Sequence, residues 1–197
     1  MAARTSPEFP HRRPVPPRQG CTVEDLLTLP GLPPHTELID GNLVFACPQC
    51  CFHSLAIDLL VHGLRSTAPP ELRVVREMTV VLDKRNGPEP DVSVVRAAAA
   101  RSREQTYFQV RDVLLAVEVV SPDSEARDTD TKPHKYAGAG IPYFWRVEMA
   151  GDEQPVVHVF ELDKESRVYV PGGTFRDRLK VSVPFGIDID LAGIDRL

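Results

Sequence analysis

The stretch LLAVEVVSP, residues 114–122, places a single carboxylate, that of Glu118, inside an otherwise apolar run. A short apolar block that is rich in β-branched residues and closed by Ser-Pro is typical of a strand buried on both faces. Burying a carboxylate without a partner costs on the order of several kcal/mol. The sequence therefore predicts a central strand over 113–120 and a partner for Glu118.

The segments before this strand carry helix and hairpin signals. Thr22 and Asp25 are spaced as a capping box at the start of a short helix. Asp40-Gly41 lies between two runs of strand formers, which predicts a hairpin. Apolar residues near helical spacing predict a longer helix over 52–66.

The remaining segments predict more strands and one short helix. The alanine run that begins at 97 favours helix, and residues 128–140 predict a short helix with Asp128 or Thr129 as its cap and Pro133 in its first turn. Extended segments are predicted at 72–83, 89–95, 141–149, 155–162, 167–173 and 181–191. The fold class is therefore α/β (α+β mixed), with a mixed sheet and few helices.

Composition narrows the class of protein. A hydrophobic content of 42% and a charged content of 26% are those of a globular protein, and no apolar run is long enough to span a bilayer. Without an N-terminal signal peptide, we expect a cytoplasmic protein with reduced cysteines. The net charge of −5 argues against coating nucleic acid through bulk charge, but not against basic groups local to a groove. The composition of residues 1–20 predicts a disordered Pro/Arg-rich tail. Residues 21–197 are expected to form a single domain.

Two acidic residues lie in strands where charge is not expected. Asp91 leads into the apolar run VSVV, and Glu118 lies 27 positions later in the next apolar strand. If these strands are neighbours, the two carboxylates converge, and oxygen ligands of this kind suit Mg²⁺. The alternative for Asp91 is a cap or a salt-bridge partner.

A third element follows Glu118. Asp128, Lys132 and Tyr136 are four residues apart, which on a helix stacks them on one face. A lysine directed at a metal-bound phosphate could orient the attacking water and stabilise the charge that develops on phosphorus. The alternative is an exposed Asp–Lys pair on a solvated helix, with Tyr136 covering the core.

Together these residues resemble the Uma-two family of putative restriction endonucleases, a branch of the PD-(D/E)XK nuclease superfamily. The resemblance runs in order over about 22–190. It is carried by ELIDGNLV at 37–44, His53, Pro90-Asp91-Val92, VEVVSPDS at 117–124, Asp128, Lys132, Tyr136 and AGIPYFWRVE at 139–148.

The resemblance implies a restriction-endonuclease-like core, a central mixed β-sheet flanked by helices, here with an N-terminal β-hairpin. It implies Asp91 and Glu118 as ligands of Mg²⁺ or Mn²⁺, together with the backbone carbonyl of Val119. Glu37 is the nearest match to a glutamate that superfamily members carry near the N-terminus. The implied catalytic residues are Asp91, Glu118, Lys132, Glu37 and Tyr136.

One position departs from the superfamily pattern. The usual lysine two residues after the glutamate is replaced by Val120, and Lys132 resembles that lysine moved to the following helix. The implied function is a metal-dependent endonuclease that hydrolyses DNA, with a homodimer as the assembly expected for double-strand cleavage. Two alternatives stay open: an inactive nuclease-like fold that binds nucleic acid or protein, and a hydrolase of another phosphate ester.

Two further groups of residues have functional alternatives. Cys47, Cys50 and His53 have the spacing of one zinc knuckle, but a second ligand pair is lacking, so plain thiols at a strand-to-helix junction are favoured. Among the basic residues, Arg127 and Lys135 are nearest the proposed site, and both are predicted as phosphate contacts.

Overall fold

The computed structural model describes residues 19–197, so most of the predicted tail over 1–20 lies outside the described residues. The helices are α1 (Val23–Thr28), α2 (Cys51–Thr67) and α3 (Lys132–Ala139). The strands are β1 (Thr36–Ile39), β2 (Asn42–Phe45), β3 (Leu72–Arg76), β4 (Thr79–Val81), β5 (Val92–Arg96), β6 (Tyr107–Gln109), β7 (Val113–Val119), β8 (Tyr143–Met149), β9 (Pro155–Asp163), β10 (Val168–Phe175), β11 (Arg178–Val181) and β12 (Ile187–Asp190). Within residues 19–197, no helix has the length and apolar character needed to cross a membrane.

A six-stranded mixed sheet forms the centre of the fold, in the order β10-β9-β8-β7-β5-β3. Only β7 and β8 pair in parallel, and the other neighbours in this sheet are antiparallel. Leu115, Val117 and Val119 of β7 pack in one core with α2, whereas Ala116 packs in a second core with Tyr136 of α3. The predicted mixed α/β class and the doubly buried central strand are therefore confirmed.

The N-terminal hairpin forms as its turn residues predict. Asp40 and Gly41 both have positive φ, 51° and 79°, as the favoured two-residue hairpin turn requires. The capping box of Thr22 and Asp25 is also present. Backbone hydrogen bonds in both directions between Leu38 and Gly87, of 3.0 and 2.8 Å, tie β1 to the loop that leads into β5. The hairpin is thereby held against the end of the central sheet.

Two predicted segments differ from the structure. The extended segment at 72–83 is broken at Glu77, whose φ of 51° turns the chain, so that β3 joins the central sheet and β4 pairs with β6 elsewhere. The alanine run forms only a 3₁₀ turn over Ala97–Ala99. The four alanines of this run are too few to offset the cost of helix nucleation.

The helix that follows β7 contains a wide turn that the spacing did not predict. Helical backbone begins at Glu125, and Arg127–Thr131 form a π turn that leads directly into α3. Asp128 and Thr129 are therefore inside the helical segment and cap nothing. Pro133 lacks an N–H and its ring would press on the carbonyl four residues earlier in a regular helix, and the wider turn relieves that contact.

Candidate active site

Glu118 is buried in the sheet, with 1% of its surface exposed, and both of its carboxylate oxygens are bonded. Oε2 accepts a hydrogen bond of 2.9 Å from Nζ of Lys132, and Oε1 accepts one from the hydroxyl of Tyr136. The predicted partner of this carboxylate therefore exists among the side chains of the chain itself. The two donors are one helical turn apart on α3.

Lys132 lies at the centre of a cluster of carboxylates. Its Nζ is 2.9 Å from Oε1 of Glu37, 2.9 Å from Oε2 of Glu118 and 3.2 Å from Oδ1 of Asp128. Asp128 and Lys132 are only 2% and 4% exposed, so the alternative of a solvated Asp–Lys pair is wrong. Asp128 was left outside the predicted catalytic set, although its spacing of four residues from Lys132 was the signal for this contact.

Asp91 faces Glu118 across two neighbouring strands. The antiparallel register pairs Val92 with Val117, so Asp91 comes beside the end of β7, where its Oδ2 accepts a hydrogen bond of 2.6 Å from the backbone N–H of Val119. Its Oδ1 is 3.1 Å from Nε2 of His53, a buried residue of α2. The predicted convergence of Asp91 and Glu118 is thus present in the fold.

The hairpin and α2 complete this arrangement. Oε1 of Glu37, besides its contact with Lys132, accepts a hydrogen bond of 2.7 Å from the backbone N–H of Glu89. His53 was not predicted as the partner of Asp91. The signal was its position three and four residues before Ala56 and Ile57, which are on the buried face of α2.

Burial and charge act in opposite directions on the pKa values of this cluster. Burial alone would lower the pKa of Lys132, but the carboxylates of Glu118, Glu37 and Asp128 raise it well above its ordinary value, so the lysine is protonated. Burial raises the pKa of Glu118 and of Asp128, and the charge of Lys132 opposes that rise. Burial also raises the pKa of Tyr136, so its hydroxyl keeps the proton that it donates.

A cleft of about 300 Å³ opens over the cluster. Its described lining contains the acidic side chains of Glu37, Glu77, Glu89, Asp91, Glu118, Asp123 and Asp128, and the basic side chains of His35, His53, Arg127 and Lys132. Seven carboxylates against four basic groups make the cleft unfavourable for an anion unless a cation accompanies it. Carboxylate oxygens are also the ligands that Mg²⁺ and Mn²⁺ prefer.

The carboxylates of Asp91 and Glu118 and the backbone carbonyl of Val119 are oxygen ligands of the kind that a hard divalent ion prefers. Among residues 19–197, however, no three His, Cys, Asp or Glu side chains are arranged so that they could hold a metal ion as they stand. The oxygens of Asp91 and Glu118 accept hydrogen bonds from donors of the chain. Oδ1 of Asp128 is also engaged, since it lies 3.2 Å from Nζ of Lys132.

The cysteines lie outside this cluster. Cys47, Cys50 and Cys51 are exposed free thiols where the chain passes from β2 into α2. His53 contacts Asp91. The interpretation of Cys47 and Cys50 as plain thiols stays a prediction.

Comparison with known proteins adds a family and a fold. The family model Uma2, described as "Putative restriction endonuclease", matches residues 23–192. None of the curated proteins is a significant match. The crystal structure of a putative nuclease of DUF820 from Anabaena variabilis is similar over 83% of this chain and 89% of that chain, with a TM-score of 0.64 and 21% identity. At that identity, the likeness establishes the fold.

Proposed function

Because the chain belongs to the Uma2 family of putative restriction endonucleases, we propose that it uses Mg²⁺ or Mn²⁺ to hydrolyse phosphodiester bonds of DNA. The observation that carries this proposal is the meeting of Asp91, Glu118 and Lys132 in one acidic cleft, at neighbouring ends of β5 and β7. Asp91 and Glu118 offer oxygen ligands for a divalent ion, and Lys132 adds a fixed cation beside them, a combination that suits metal-assisted hydrolysis of a phosphodiester.

Each residue of the cluster has a role in this proposal. Asp91, Glu118 and the carbonyl of Val119 hold the ion, which when bound lowers the pKa of a water molecule and polarises the phosphate. Lys132, protonated at 2.9 Å from Glu118, orients the attacking water and stabilises the negative charge that develops on phosphorus. Tyr136 fixes the Glu118 carboxylate through its hydrogen bond.

The position of Lys132 supports its assignment as the displaced catalytic lysine. Val120 occupies the usual position of that lysine, and its backbone N–H is bonded to the carbonyl of Val147. The ammonium of Lys132 reaches the same carboxylate from the next helix, and Glu37 and Asp128 keep it in place. The departure from the superfamily pattern therefore changes which element carries the lysine and leaves the cation beside the glutamate.

The experiment is cleavage of supercoiled plasmid, single-stranded DNA and RNA in Mg²⁺, Mn²⁺ or EDTA. We expect metal-dependent cleavage of DNA that is lost in Asp91→Asn and Glu118→Gln and strongly reduced in Lys132→Ala, with folding of each variant checked by circular dichroism. Glu165→Gln, on an exposed turn, is the matched control. Cleavage that persists in either folded ligand variant would remove the metal assignment, and cleavage of RNA alone would change the substrate. Sedimentation of the wild type with and without duplex tests the expected homodimer.

A second function is favoured by one observation. All four oxygens of Asp91 and Glu118 are within hydrogen-bond distance of donors of the chain itself, so neither carboxylate depends on an ion for a partner. The chain would then be a nuclease-like module that binds nucleic acid or protein without cutting. Titration calorimetry with Mn²⁺ separates the two functions, since binding that depends on Asp91 and Glu118 supports the enzyme. No binding supports the module.

A further inference from the structure

Arg127 is a basic side chain that lines the cleft. It lines the cleft together with Asp128 and Lys132, but it forms no ion pair and no side-chain hydrogen bond with any residue among 19–197. Its Nε is buried and unbonded. Buried donors in proteins are nearly always paired, so this nitrogen calls for an explanation.

The other basic groups of the described cleft lining are all engaged. Lys132 contacts three carboxylates, His35 lies 2.6 Å from Glu89, and His53 lies 3.1 Å from Asp91. In the part of the chain that the structure describes, Arg127 has no carboxylate partner, although carboxylates are in excess in the cleft lining. A guanidinium in that state is available to an anion that enters from outside.

We propose that Arg127 binds a non-bridging oxygen of a backbone phosphate next to the phosphate that is hydrolysed, a role that rests on the proposed function. The planar guanidinium presents paired N–H donors that match the oxygens of a phosphate. The ligand is therefore the phosphodiester backbone of a nucleic acid, and the contact carries no base specificity.

The backbone at Arg127 is held in a way that suits this role. Its N–H donates to the carbonyl of Ser124 at 2.8 Å, and its carbonyl accepts from the N–H of Lys132 across the π turn. One turn of backbone thus presents both cations to the same cleft. Lys132 is directed to Glu118, and Arg127 is left for the neighbouring phosphate.

The second predicted phosphate contact, Lys135, is in a different situation. Its Nζ is 2.6 Å from Oδ1 of Asp40 in the hairpin turn, and it does not line the cleft. Lys135 therefore ties α3 to the hairpin, and it serves as the matched control, a basic residue eight positions further along the same helical segment.

The test is fluorescence anisotropy with labelled duplex and single-stranded DNA in Ca²⁺, over a series of salt concentrations. For Arg127→Ala we expect about tenfold weaker binding and a salt slope reduced by about one contact. Arg127→Lys should restore part of the affinity, and Lys135→Ala should leave both quantities unchanged. The proposal would be overturned if the wild type and Arg127→Ala had the same affinity for DNA, the same salt slope and the same melting temperature. A wild type that binds no DNA would overturn it as well.

Cleavage assays separate this proposal from the nuclease function. If the wild type binds DNA through Arg127 but cuts nothing in any metal, the nuclease proposal fails and the phosphate contact stands. If the wild type cuts DNA, and Arg127→Ala binds and cuts DNA as well as the wild type, the phosphate contact fails and the nuclease proposal stands.

Discussion

The two helices that cover the central sheet differ in what they bury. Helix α2 has seventeen residues and buries an almost wholly apolar face, in which His53 is the one ionisable side chain. Helix α3 has eight residues, follows a π turn and buries Lys132 and Tyr136, with Asp128 immediately before it. Both helices meet the ends of β5 and β7, where α2 supplies a partner for Asp91 and α3 supplies partners for Glu118.

This difference separates two sources of stability. On the α2 side, packing is non-directional, and its contribution follows the apolar area removed from water. On the α3 side, a buried ammonium and buried carboxylates stabilise the fold only as a complete set, because each charge is costly without its partners. We therefore expect substitutions on the two sides to differ in size and above all in pH dependence.

The largest loss of stability is expected for Lys132→Met. It leaves the carboxylates of Glu37, Glu118 and Asp128 buried without their cation, which costs about 3–5 kcal/mol. The loss should shrink as the pH falls, because the carboxylates then become protonated. Urea unfolding at pH 8 and pH 5 measures the loss of stability and its change with pH. Lys135→Met is the control, because the ion-pair partner of Lys135, Asp40, is exposed. This variant should lose at most about 1 kcal/mol. Equal losses in the two variants would contradict the buried cluster.

On the α2 side, Leu60→Ala is expected to cost about 2–5 kcal/mol through the cavity that it leaves. Leu60 is buried in the core between α2 and the sheet. Because no charge is involved, the loss should be the same at pH 5 and pH 8. A loss that varied with pH as it does in Lys132→Met would show that the two faces do not act independently.

The same contrast explains how much of the fold the sequence predicts. Apolar periodicity predicted α2 and the central strand, and turn chemistry at Asp40-Gly41 predicted the hairpin, because these signals are local. A carboxylate inside an apolar strand predicted that Glu118 needed a partner. The spacing of Lys132 and Tyr136 from Asp128 predicted that they share a face of the next helix.

What the sequence did not predict depends on contacts between distant segments. Glu37 reaches Lys132 because the hairpin is bonded to the loop near Gly87, about fifty residues further along the chain. No local pattern encodes that approach. Pro133 lies in the first turn of α3, as predicted. The sequence did not predict that the π turn at Arg127–Thr131 precedes this helix, with helical backbone from Glu125 onward. His53 was compared with nearby cysteines, and its true partner, Asp91, lies in another strand region.

His53 is the one ionisable side chain that α2 buries, and its removal should have an intermediate effect. His53→Leu leaves Oδ1 of Asp91 without its donor, which we expect to cost about 1–3 kcal/mol. His53→Gln retains an N–H donor and should recover part of that loss. The exposed His62→Leu on the same helix should change stability by less than about 0.5 kcal/mol. Urea unfolding at pH 7 compares the three, and equal stability of His53→Leu and the wild type would contradict the contact.

The smallest expected difference is in the pH dependence of the wild type and Glu118→Gln. Burial raises the pKa of Glu118 in the folded state, so its favourable contribution is complete below the pKa of the unfolded chain and is lost as the pH rises through the folded value. Stability measured from pH 4 to pH 8 should therefore fall less steeply in Glu118→Gln than in the wild type or in Glu165→Gln. Parallel curves would mean that Lys132 offsets the burial of Glu118 completely, and the α3 side would then resemble the α2 side in its response to pH.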